Sequence, residues 1–98
     1  MTIQKTQNGD ALEILVEGRL DTTTAPELEA ELLKSMPAAN TLTLDFSKLA
    51  YISSAGLRVL LSAHKAMAGK GGMTVRNVNE IVQEVFDVTG FCDILNIE

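Results

Sequence analysis

The 98-residue sequence contains no tryptophan, and aromatic residues make up only 4% of it. Its core must therefore be mostly aliphatic, and it offers few platforms for stacking nucleic-acid bases. A single cysteine, Cys92, excludes an internal disulfide and fits a reducing compartment. A single histidine, His64, leaves no close pair of metal-ligating side chains, so no metal and no other cofactor is expected. Basic residues are scarce: 8 Lys and Arg stand against 13 Asp and Glu, for a net charge of −5. Such a surface repels phosphate backbones and anionic lipid, which makes nucleic acid and membranes poor partners. No apolar run is long enough to span a bilayer, and the opening "MTIQKTQNGD" has no apolar signal segment. Linkers, repeats and low-complexity segments are also missing. The expectation is one domain over residues 1–98 of a soluble, cytoplasmic protein.

Hydrophobic residues reach 46%, enough for a packed core at this length. The segment "ALEILVE" alternates, with Leu12, Ile14 and Val16 on one side and Glu13 and Glu17 on the other, as in a strand buried on one face. Asn8-Gly9 before it is a hairpin turn pair, because both residues tolerate positive φ. This makes "TIQKTQ" the hairpin partner, although its own pattern is weak. In "RLDTTTAPELEAELLKSM" the period becomes helical: Leu28, Leu32, Leu33 and Met36 share a face, opposite Glu27, Glu29, Glu31 and Lys34. Thr24 and Glu27 have the spacing of a capping box, Pro26 suits the first turn and Pro37 follows the end.

"TLTLDFS" is again a strand, with Leu42, Leu44 and Phe46 inward. "GLRVLLSAHKAMAGKGG" is a helix with Leu57, Leu60, Leu61, His64 and Met67 on its face, a C-cap at Gly69 and a turn at Gly71-Gly72. "MTVRN" is a short strand. A third helix follows in "NVNEIVQEVFDVTG", capped by Asn77, with Val78, Ile81, Val82, Val85 and Phe86 inward and Gly90 closing it. "CDILNI" is a final strand. The order β-β-α-β-α-β-α-β implies an α/β fold. Its sheet is small, mixed and mostly parallel, with an N-terminal hairpin and helices packed against it.

The chemistry-bearing candidates thin out quickly. Ser54 sits at a strand-to-helix turn, but a nucleophile elbow needs glycine two residues on either side, and Ile52 stands at the first position. His64 lies ten residues along the same helix, about 15 Å away at the helical rise, out of reach as a base. "AGKGG" lacks the spacing of a phosphate loop, and no dinucleotide fingerprint occurs. Asp10, Asp21 and Asp45 sit near strand ends or turns, where solvation explains them as well as clustering does. An enzyme is therefore not expected. What remains is "YISSAGLR" at a helix entry. Ser53 or Ser54 can cap the helix through its hydroxyl. The same entry offers unpaired N–H donors and a positive dipole end, so a phosphoserine there is tolerable. The loop from Arg19 to Ala25 opens at the same end of the sheet, so both loops should form one surface.

Three blocks, "EGRLDTTTAPELEAEL", "LTLDFSKLAYISSAGLRVLLSAHK" and "FDVTGFCDIL", resemble the STAS domain, in order and spacing over nearly the whole chain. The resemblance is greatest to free-standing anti-sigma-factor antagonists. It implies a protein that binds an anti-sigma factor/serine protein kinase, is switched off by phosphorylation, and is restored by a PP2C-type phosphatase. In the family pattern the acceptor serine stands two residues before the motif glycine, which maps to Ser54 before Gly56. The family often carries Asp just before the acceptor; Ser53 stands here and becomes a possible second acceptor. The resemblance implies a partner surface of Asp21, Thr22 and Thr23 with Ser53, Ser54, Ala55, Gly56, Leu57 and Arg58. A second reading is a STAS subunit fixed in a transporter ATPase complex, with Ser54 only a cap. A nucleotide or ligand sensor is a third, though no phosphate loop supports it.

Overall fold

The computed structural model describes residues 1–98. The strands are β1 (Thr2–Asn8), β2 (Ala11–Leu20), β3 (Thr41–Ile52), β4 (Met73–Arg76) and β5 (Asn96–Ile97), and the helices are α1 (Ala25–Ser35), α2 (Ser54–Ala68) and α3 (Glu80–Thr89). The sheet order is β1-β2-β3-β4-β5. The first pair is antiparallel and the rest are parallel, which is the mixed sheet expected. The hairpin turn is Gly9-Asp10 rather than the expected Asn8-Gly9: Asn8 is the last residue of β1, paired with Ala11, and only Gly9 takes positive φ, at +62.

One face of the sheet is apolar. Leu12, Ile14, Val16 and Leu20 on β2, Leu42, Leu44 and Phe46 on β3, and Val75 on β4 join one core with Leu28 and Leu32 of α1, Leu60 and Met67 of α2, and Val82 and Phe86 of α3. The other face carries partly exposed polar groups, among them Glu13, which accepts a 2.7 Å hydrogen bond from Arg76. The weak pattern of β1 follows from its place at the edge, where only Ile3 packs against the core.

Several local expectations change. β3 runs on past "TLTLDFS" to Ile52, because the register against β2 slips twice. Each slip accommodates one more β3 residue than β2 residue, so burial falls on Phe46, Leu49 and Ile52 at intervals of three instead of two. The proposed capping box on α1 is not made. Thr24 is the N-cap residue but its side chain makes no cap bond; its hydroxyl turns back to accept from Asp21 N–H and donate to Arg19 C=O, both at 2.8 Å. Asn77 does not cap α3. It takes φ +60 and donates to Asp45, while Asn79 is the cap, accepting from Val82 N–H at 2.8 Å and donating to Leu49 C=O at 2.8 Å. Leu33 and Ile81, assigned to inner faces, are exposed. Leu61 and His64 are only half-buried. "CDILNI" begins inside a 3₁₀ turn, Phe91–Asp93, and contributes only a two-residue strand, Asn96–Ile97. Gly90 ends α3 at φ +79, as a left-handed C-terminal residue should.

Lys70, in the "AGKGG" turn, is structural. Its ammonium donates to the C=O groups of Met36 and Ala39 at 2.9 and 3.0 Å, satisfying acceptors just beyond the end of α1.

Candidate functional site

β2 and β3 run parallel, so the loops that leave them open at one end of the sheet. Leu20 pairs with Ile52, and the N–H of Ser53 donates to Leu20 C=O at 2.9 Å. This places the β2–α1 loop beside the entry of α2. Thr22, Ala25, Pro26 and Glu29 from the first segment, and Ala55, Arg58 and Val59 from the second, line one shallow depression. The two loops do share one surface.

The β2–α1 loop is organised by Asp21. Its carboxylate accepts from Thr23 Oγ1 at 2.7 Å, Thr23 N–H at 3.0 Å and Thr24 N–H at 3.2 Å. The Thr23 hydroxyl is the main reason its pKa lies below the ordinary value of 3.8; partial desolvation opposes the shift and the Thr23 and Thr24 N–H groups reinforce it. Arg19 faces the same carboxylate at 3.8 Å and stacks over Tyr51, its neighbour on β3, 4.6 Å from the ring centroid. Thr22 and Thr23 are exposed.

At the entry of α2, Ser53 is the N-cap residue, extended at φ −103 and ψ 176. Its hydroxyl does not cap: the Oγ is enclosed and has no partner. Ser54, the first helical residue, is exposed and caps nothing. The helical ladder begins with Leu57 N–H on Ser53 C=O at 3.0 Å, so the N–H groups of Ser54, Ala55 and Gly56 make no backbone bond.

Gly56 serves packing. It is buried, and a Cβ there would lie 2.8 Å from both Ile52 Cγ1 and Leu20 Cγ. The missing side chain lets α2 settle onto the ends of β2 and β3. Leu57 is also buried, so Gly56 and Leu57 shape the surface from beneath while Ser54 and Arg58 are presented on it. Sequence reasoning missed Pro26, Glu29 and Val59. They lie on helical turns beyond the loops, and only the α1–α2 packing brings them to the depression.

His64 lies far along α2 and does not join this site, and the three aspartates do not converge. Asp10 precedes β2, Asp21 follows it, and Asp45 lies within β3, where it accepts from Ser47 N–H and from Asn77. No three His, Cys, Asp or Glu side chains come together to hold a metal ion. No helix is long and apolar enough to cross a membrane.

A five-stranded mixed sheet with three helices is a fold found in known proteins. The family model described as "Mlab, STAS domain" matches residues 3–96, and the chain belongs to the STAS domain family. The anti-sigma-B factor antagonist of Bacillus subtilis is 28% identical over 92 residues, covering 93% of this chain and 84% of that protein. The crystal structure of an anti-sigma factor antagonist from Mycobacterium paratuberculosis superimposes with a TM-score of 0.89 at 21% identity, covering 98% of this chain and 83% of that one. SpoIIAA, an anti-sigma factor antagonist, matches in its unphosphorylated form with a TM-score of 0.84 at 19% identity, covering 99% and 88%. The phosphorylated form of SpoIIAA, from Bacillus, matches with a TM-score of 0.76 at 18% identity, covering 99% and 91%.

Proposed function

We propose that this protein is a cytoplasmic anti-sigma-factor antagonist that binds an anti-sigma factor/serine kinase and is controlled by phosphorylation of Ser54. The observation that carries the reading is the exposed hydroxyl of Ser54 at the uncapped start of α2, beside the Asp21–Thr24 loop. Relatives named anti-sigma-factor antagonists support it, as does a fold that SpoIIAA adopts in both unphosphorylated and phosphorylated forms.

In this reading the unphosphorylated face, built from Asp21, Thr22, Thr23, Ser54, Ala55 and Arg58 over Gly56 and Leu57, docks on the kinase and releases the sigma factor. Phosphorylation adds about −1.5 to −2 charges to a protein already at −5. Turning a partner from mostly bound to mostly free takes about 5.5 kcal/mol of differential affinity. A dianion buried in a protein interface is costly on that scale through desolvation and like-charge contact. The fold itself stays in place, since the dipole and free N–H groups of the helix start tolerate the charge. A PP2C-type phosphatase resets the switch. The protein acts by binding rather than catalysis: Ser54 has no base within reach along its helix. Ser53, with its Oγ enclosed, would serve as a second acceptor only if the helix entry opened.

The test uses the proteins Ser54→Ala and Ser54→Glu as baits in lysate of the source organism, with phosphopeptide mapping of the wild-type chain. The reading expects an ATP-binding serine kinase on the Ala bait, little of it on the Glu bait, and phosphate on Ser54. A transporter ATPase held equally by both baits, with no phosphate on the chain, would replace it with the fixed-subunit reading.

A further inference from the structure

We propose that Arg58 is the built-in receiver for the phosphate on Ser54; this rests on the acceptor assignment above and concerns how that site is regulated. The sequence holds three arginines. Arg19 faces Asp21 and stacks on Tyr51, and Arg76 donates to Glu13 at 2.7 Å. Arg58 alone among them is exposed without an acidic partner or any hydrogen bond from its side chain.

Its position gives the free guanidinium a purpose. Ser54 and Arg58 are four residues apart on α2, so their Cβ atoms lie about 6 Å apart on one face of the helix. Helical side chains lean toward the N-terminus, which carries the long arm of Arg58 back over the turn that Ser54 begins. A phosphoryl group on Ser54 Oγ presents three acceptor oxygens to a planar fork of N–H donors, the geometry in which arginine outperforms lysine. Glu29, across the depression that Arg58 lines, is the only other charged residue there. Its carboxylate attracts Arg58 as well as repelling a phosphate, but the two make no ion pair, and a dianion on the same helix face draws the guanidinium more strongly than a single carboxylate does. Phosphorylation thereby withdraws two groups from the docking face at once, the Ser54 hydroxyl and the Arg58 guanidinium. An exposed serine and an exposed arginine become one ion pair on the protein's own helix.

The experiment uses the full chain with phosphoserine placed genetically at position 54, with Arg58 kept or replaced in the Arg58→Gln and Arg58→Lys variants. The phosphate is titrated by phosphorus NMR. An ion pair with Arg58 favours the dianion, so its second ionisation falls below that of the Arg58→Gln protein by about half a pH unit, the scale of an exposed pair. High salt shrinks the difference, and the Arg58→Lys protein retains part of it. Superimposable titrations of the Arg58 and Arg58→Gln proteins overturn the inference. Arg58 is exposed, so the unphosphorylated Arg58→Gln protein should melt as wild type does, which separates a pairing effect from a folding defect. Because the phosphate is installed directly, this result is independent of where the kinase acts. Phosphate mapped to another residue defeats the acceptor assignment and leaves the titration unchanged.

Discussion

The N–H of Ser53 donates to the C=O of Leu20 at 2.9 Å, and this one main-chain bond joins the two loops of the site. It continues the β2–β3 ladder by one step beyond the Leu20–Ile52 pair. The loop that carries Asp21 and the helix entry that carries Ser54, far apart in sequence, are thereby joined at one end of the sheet.

Gly56 beneath that junction should be intolerant of even one methyl group. In an exposed helix interior, Gly→Ala gains up to about 1 kcal/mol. Here the new Cβ would meet Ile52 and Leu20, both fully buried, at 2.8 Å, and neither has room to retreat. We expect Gly56→Ala to destabilise the fold by about 1–3 kcal/mol, measured by urea denaturation. A gain in stability would show that the packing of α2 on the strand ends is looser than the structure has it.

Ser53 separates a cap from an enclosed hydroxyl. Loss of a serine N-cap normally costs about 1 kcal/mol. The Ser53 Oγ caps nothing and is enclosed without a partner, so its burial is a cost. Ser53→Ala should therefore leave stability within about 0.5 kcal/mol of wild type or raise it. A loss of 1 kcal/mol or more would mean that the hydroxyl caps α2 in solution.

Acid should loosen both aspartate-centred turns. Asp21 is held below 3.8, chiefly by the Thr23 hydroxyl. Asp45 is also held below it: its desolvation is outweighed by hydrogen bonds from Ser47 and Asn77 and by the charge of Arg76. A carboxyl depressed in the folded state contributes stability above its unfolded value, and loses that contribution as pH falls through the folded value. The fall should thus appear below about pH 4 and be absent near neutrality. Urea midpoints from pH 6 to 3 should decline less steeply in a protein carrying Asp21→Asn and Asp45→Asn. Identical slopes would remove these two groups from the acid response.

Most of the fold is legible because its signals are periodic. Leu12, Ile14 and Val16 alternate as β2 requires, and Leu28 and Leu32 mark the buried stripe of α1. Legibility fails where tertiary geometry overrides local pattern. The end of β3 has a period of three because each register slip inserts a residue, so "SKLAYI" does not look like a strand. Asn77 and Asn79 are equally good caps by type; the choice is made by Leu49 C=O, which holds the Asn79 amide. Leu33 and Ile81 fit an apolar stripe by spacing alone, yet both are exposed in the folded protein. At the site, the loops could be placed together because both follow parallel strands. The enclosure of Ser53, the contact of Gly56 with Leu20 and the absence of an acidic partner for Arg58 depend on how segments distant in sequence pack and could not be.

Calorimetric titration of the purified partner kinase with this chain, carrying either serine or phosphoserine at position 54, tests the central claim most directly. The account predicts tight binding to the serine form and at least a 100-fold loss, about 2.7 kcal/mol, for the phosphoserine form with an unchanged melting temperature. Equal affinities for the two forms would contradict it.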